Sequence, residues 1–251
     1  MLLKPIVDFL DETFSVKKLQ DFPNAFNGLQ LANNGNVRKI AGSVDASRCS
    51  IEKAIKLGAD LLCVHHGLYW SGVQPMVGPI YEIYKKVIDA NLAIYSVHLP
   101  LDSHQEYSHN ISIARGLNLE IEAPFSEYMQ QACGLVCREK AQISASLEER
   151  LYKMFPRMQS LNFGPKIPQK IGIVSGSGGQ NLLDEIVRCE VDTLVTGEVR
   201  YSAVSFAQLH HLNIYACGHY NTECFGVKNM LTLIADKFSI PCQFIDIHCD
   251  L

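Results

Sequence analysis

The runs "KIAGSVD" (39–45) and "DLLCV" (60–64) are apolar on both faces, and the stretch between them spaces Cys49, Ile51, Ala54, Ile55 and Leu57 at helical intervals. A strand with no polar face needs cover on both sides, which parallel strands joined by crossover helices provide. The pattern therefore predicts a βαβ unit, with Ser47 capping the helix over 47–58 and Gly58 ending it. A further helix is expected over 79–91 and a strand over 92–97. Beyond residue 125 the character changes: "CGLVCREK" and "ASLEERLYKMF" suggest a strand and a helix of a connecting region that closes in the Gly/Pro loop "FGPKIPQK".

After that loop the βαβ pattern restarts. "KIGIVSG" (170–176), "DTLVT" (192–196) and "NIYACG" (213–218) are expected strands, with a helix over 180–189. The order and length of "KIAGSVDAS…GADLLCVHHG" and "KIGIVSGSG…EVDTLVTGEV" suggest two copies of one unit. The expected fold class is α/β, with two related βαβ-containing halves and mixed, mostly parallel sheets. The boundaries are 1–125, a connecting region 126–169, and 170–251, with the two halves forming one compact body and a metal site in the cleft between them.

Composition narrows the function classes. Of 251 residues 22 are basic and 26 acidic, so no broad basic surface invites nucleic acid. "MLLKPIVDFLDETF" is too short in its apolar run for a signal segment, and no later stretch approaches a membrane span, so a cytoplasmic protein without a membrane partner is expected. The nine cysteines have no framework spacing, and Cys133 and Cys137 lack two further ligands for a zinc site.

In open α/β sheets, ligands bind beyond the carboxyl ends of the strands. There this sequence gathers its imidazoles: His65 and His66 after "LLCV", His98 after "IYSV" and His219 after "IYACG". Two have a carboxylate four positions on, giving His98 with Asp102 in "HLPLD" and His219 with Glu223 in "HYNTE". The second pair is expected one turn apart at a helix start; the first, containing Pro100, is expected in a tight loop. Imidazoles with carboxylates suit zinc, manganese, iron or nickel. Adjacent histidines at a strand end running into Gly67 can face one cleft yet reach different ions, which favours two divalent ions about 3.5 to 4 Å apart that hold a hydroxide as hydrolytic nucleophile. A single histidine at a strand end is usually a hydrogen-bonded loop residue; it is the repetition at three strand ends that argues for a metal.

Weaker features surround this set. The glycine-rich turn "SGSGGQNLL" (175–183) lacks the lysine of a P-loop and reads first as a tight turn. Tyr69 and Trp70 suit packing better than base stacking. His104, His109, His210, His211 and His248 are expected at the surface or behind the ligands. Glu198, at the strand end that corresponds to His66, suits an orienting group or a general base.

The segments "FNGLQ", "GADLLCVHHG", "YSVHLPLDSH", "VTGEV" and "GHYNTE", in this order along nearly the whole chain, resemble the Nif-three-like family, whose bacterial members carry the label GTP cyclohydrolase type-two homologue. The resemblance implies a dinuclear metal centre on His65, His66, Asp102, His219 and Glu223, the last bridging, with His98 ligating or lining the site. It also implies a toroidal homohexamer. "GHYNTE" departs from the commoner "GHHATE" at Tyr220 and Asn221, and His109 stands where small residues or asparagine are usual. The expected activity is hydrolysis of a nucleotide or related heterocycle, with His98 or Glu198 moving protons. The alternative is a non-enzymatic ring-shaped scaffold or regulatory adaptor; a third role, DNA binding inside the ring, runs against the acidic net charge.

Overall fold

Leu3, Ile6 and Leu10 recur at the spacing that puts side chains on one helix face, and all three are buried along α1 (Leu3–Thr13). The structure is a computed structural model that describes residues 1–140, 145–177 and 181–247. The chain continues through β1 (Gly28–Leu31), β2 (Ile40–Asp45), α2 (Arg48–Lys56), β3 (Leu61–His66), α3 (Gly78–Asp89), β4 (Ala93–Ser96) and the single turn α4 (Leu99–Asp102). Then come α5 (His109–Gly116), β5 (Leu119–Tyr128), β6 (Gln131–Glu139), α6 (Leu147–Met154), β7 (Gln159–Asn162), β8 (Ile171–Ser177), α7 (Asn181–Arg188) and β9 (Thr193–Glu198). The last elements are α8 (Ala203–His210), β10 (Asn213–Ala216), α9 (His219–Phe238) and β11 (Cys242–Phe244).

These elements form two units, Met1–His104 with Gly226–Ile247, and Gln105–Phe225. Residues 126–169 thus supply β6, α6 and β7 to the second unit, and residues 226–247 fold with the first.

The first unit holds a five-stranded sheet in the order β1-β4-β3-β2-β11. Strands β4, β3, β2 and β11 are parallel and β1 is an antiparallel edge. All six residues of β3 are buried, as its two-sided apolar pattern demands. Ala41, Ile51, Ala54, Leu62, Val64, Val87 and Ile94 pack into one cluster between strands and helices. Ser47 caps α2 by accepting from Ser50 N, and Gly58, at φ +66°, carries the chain out of the helix in the left-handed conformation.

The second unit holds a six-stranded sheet in the order β5-β6-β8-β9-β10-β7. Its centre, β8-β9-β10, is parallel, and antiparallel strands flank it on both sides. Each unit therefore contains three adjacent parallel strands in sequential order, joined by helices, and the fold is the mixed α/β architecture expected. The middle strands β3 and β9 both span six residues, so His66 and Glu198 occupy the same terminal position in each. Among the described residues no helix is long and apolar enough to cross a membrane.

One local expectation is corrected. "HLPLD" is a helical turn and not a tight loop: His98 sits at the N-cap of α4 with Pro100 in its first turn. Proline is tolerated there because its missing N–H belongs to the groups a helix start leaves unbonded anyway.

Candidate metal centre

In the first unit, His65 and His66 are the last two residues of β3, and their ring centroids lie 4.7 Å apart. His98, just past β4, brings its ring to 4.8 Å from His65 and 5.6 Å from His66. All three residues are buried, and one ligand atom from each lies within 4.8 Å of the other two.

The outward nitrogens show how the rings are aimed. His65 Nδ1 donates to the Val97 carbonyl at 2.9 Å, His66 Nδ1 to Asp45 Oδ1 at 2.9 Å, and His98 Nδ1 to Asp21 Oδ1 at 2.8 Å. A carbonyl or a carboxylate can only accept, so each Nδ1 carries a proton, and in the neutral imidazole each Nε2 holds the lone pair. This is the arrangement in which imidazoles serve as ligands, with an acceptor behind each ring fixing tautomer and direction.

Asp102, on α4, places Oδ2 3.6 Å from His65 Nε2 and 4.0 Å from His98 Nε2. Those separations exceed a hydrogen bond. Ligands about 2.1 Å from a tetrahedral cation stand about 3.4 Å from each other, so the His65–Asp102 spacing fits a pair of donors sharing one ion.

Asp21 holds the rear of this arrangement. Its carboxylate accepts from His98 Nδ1, Phe22 N, Leu99 N and Asn27 Nδ2, while Asn27 Oδ1 accepts from His98 N. Burial pushes the Asp21 pKa up, but His98, Asn27 and the Phe22 amide together hold it below the ordinary carboxylate value. Trp70 covers the cluster, its indole stacked on His66 at 4.6 Å and tilted 58° against His98 at 4.4 Å. The indole is thus a wall of the histidine cluster, beyond the simple packing expected of it.

In the second unit, His219 opens α9 and Glu223 follows one turn later, as the spacing predicts. His219 Nε2 lies 3.1 Å from Glu223 Oε1, and Nδ1 lies 3.1 Å from Glu198 Oε1. Glu223 is 6% exposed at its side chain, Glu198 50%. Burial lowers the pKa of His219, yet hydrogen bonds and charge from Glu223, then Glu198, outweigh it and raise the pKa to about 9. A proton therefore sits between two carboxylates where a cation can replace it. Glu198 orients His219 from Nδ1, the part Asp45 plays for His66.

The remaining histidines divide. His210 ends α8 and His211 takes the left-handed position after it, as a helix end favours. His109 is fully buried at the start of α5 and is not a surface residue. His248 and residues 178–180 of the glycine-rich turn lie outside the described residues. Cys133 and Cys137 lie on β6 in no disulfide, and among the described residues no cysteine joins a metal-type cluster.

Asp21, Asp45 and two glycines, Gly176 and Gly197, join these sites without a place among the residues expected from the sequence. Asp45 was findable, since it ends β2 as His66 ends β3. Asp21 lies in a loop 77 residues from its partner, with no local signal.

The profile of the family Duf34/NIF3 (NGG1p interacting factor 3) matches residues 1–250. The chain is 35% identical to the GTP cyclohydrolase 1 type 2 homolog of Archaeoglobus fulgidus, covering 100% of both chains. It is 36% identical to the protein of the same name from Pyrococcus horikoshii, covering 96% of each. Among solved structures it is similar to a protein from Thermus thermophilus, with TM-score 0.87 and 30% identity over 100% of both chains. It is also similar to reduced HcgD from Methanocaldococcus jannaschii, with TM-score 0.83, 25% identity and 98% of each chain covered. By sequence over its whole length and by fold, this chain belongs to the Duf34/NIF3 family.

Proposed function

We propose that this chain is a divalent-metal-dependent hydrolase acting on a nucleotide or related heterocycle, with two ions per chain. The observation that carries the proposal is the set of three buried imidazoles, each with Nδ1 tied to an acceptor, beside the Asp102 carboxylate. The proposed ligands are His65, His66, Asp102, His219 and Glu223. The substrate class rests on the relatives' names, which call them GTP cyclohydrolase homologs. A bound zinc, manganese, iron or nickel ion supplies Lewis acidity and makes water more acidic near neutral pH.

The protein's own part is to orient and to move protons. Asp45 and Asp21 hold His66 and His98 in one tautomer, and Glu198 does so for His219. His98 is the proton-shuttling group best supported, because Asp21 behind it can stabilise the imidazolium. Glu198, half exposed beside His219, is the second. Trp70 limits water access to His66. A cytoplasmic homohexamer belongs to the same proposal and is tested by light scattering of the purified protein.

The deciding experiment is elemental analysis of protein purified without chelator, followed by a hydrolysis panel that includes GTP. Two equivalents of transition metal per chain, with turnover lost in His66→Ala while the assembly stays intact, are expected. Metal without any turnover across the panel would favour the scaffold or adaptor role; no metal after reconstitution would overturn the proposal.

A further inference from the structure

Gly176 lies at the end of β8 with φ +62°, and a Cβ built there would sit 2.1 Å from Glu223 Oε1 and 3.1 Å from His219 Nε2. Its amide donates to Thr222 Oγ1 at 2.9 Å, which ties this strand end to the first turn of α9. At Gly197, the next strand over, a Cβ would meet the Gly176 carbonyl oxygen at 2.3 Å and His219 Cα at 2.8 Å. The helix start is thus laid directly on two bare strand ends. What each glycine spares differs: at 197 rigid backbone, at 176 the far end of a side chain.

We propose that Gly176 is a positioning residue for the Glu223 carboxylate, its missing side chain being the space into which that carboxylate descends beside His219. The inference rests on the ligand role proposed above for Glu223, and extends it to a residue with no ligating atom. A methyl group at 176 meets a side-chain oxygen and no backbone atom, so the carboxylate is the group that must give way. Ordinary contact begins near 3.4 Å, so Oε1 must retreat by more than about 1 Å. A ligand misplaced by that much no longer matches metal bonds that vary by only about 0.2 Å.

Left-handed strain alone is matched by a control. Gly58 has φ +66° with nothing within 4 Å of its would-be Cβ, so Gly58→Ala carries the same backbone strain without touching a ligand. The test compares Gly176→Ala, Gly58→Ala and the double variant Gly176→Ala/Glu223→Asp. The readouts are zinc per chain, zinc affinity by chelator competition, thermal midpoint, and a crystal structure of metal-free Gly176→Ala.

Expected are similar small losses of thermal midpoint in the two single variants, at least a tenfold loss of zinc affinity in Gly176→Ala alone, and partial recovery in the double variant. Recovery follows because aspartate is shorter by about 1.5 Å, one C–C bond. Unchanged zinc affinity in Gly176→Ala would overturn the proposal. So would a crystal structure with Oε1 still at its contact with His219. If the wild-type protein binds no zinc, the ligand role fails, and the metal-free crystal structure still decides whether Gly176 sets the carboxylate.

Discussion

Replacing Asp21 by Asn tests the aiming of the histidines, because it keeps the shape of the side chain and changes what it can accept. In the wild type Oδ1 accepts from Phe22 N and His98 Nδ1, and Oδ2 from Asn27 Nδ2 and Leu99 N. An amide turns one of these oxygens into a donor, so in either orientation two N–H groups face another N–H. The side chain is 6% exposed, so solvent relieves little. A buried donor deprived of its acceptor costs about 1–3 kcal/mol, so the two give an expected loss of about 2–6 kcal/mol in urea unfolding of the metal-free protein. If the amide turns toward His98, the ring escapes by moving its proton to Nε2, which removes the lone pair aimed at the cluster. His98 is the proposed proton shuttle, so the wrong tautomer is expected to cost about 10²–10⁴-fold in turnover. Nitrogen-15 NMR of the ring reads the tautomer directly. A loss under about 1 kcal/mol, or His98 still protonated at Nδ1 with turnover intact, would refute the reasoning.

Other outcomes follow from the same geometry. His219 has its pKa raised from 6.5 to about 9, so its ion pairs stabilise the metal-free protein fully below about pH 6.5 and cease to do so as pH rises through about 9. An NMR titration of His219 checks this, and zinc affinity should rise across the same interval as the competing proton leaves. Trp70 is the sole tryptophan and stacks on His66, so loading nickel should change its emission, and His66→Ala should abolish the change. At Gly42 in β2 a Cβ would stand 2.7 Å from Leu231 Cδ1 of α9, so Gly42→Ala should cost about 1–3 kcal/mol of stability by overpacking, read by urea denaturation.

Much of this protein was legible along the chain because the signals are local. The apolar runs of β2 and β3, the helical spacing of α2, its Ser47 cap and the one-turn separation of His219 and Glu223 each depend on neighbours a few residues away. His65, His66 and His98 stood out for the same reason, as polar groups at the ends of buried strands, and Asp102 because it follows His98 by four residues.

Tertiary structure alone decided the rest. The β5–β6 hairpin gave no two-sided apolar signal, since β5 is an edge strand with most residues exposed, and its pairing is set by the sheet it joins. Asp21 reaches His98 across 77 residues, and Gly176 matters only because α9, more than 40 residues later, lowers a carboxylate onto it. Hydrogen bonds and steric exclusion act over a few ångströms of space, whatever the distance along the chain. A sequence read in windows shows which residues can ligate, but only the packed chain shows which groups aim them.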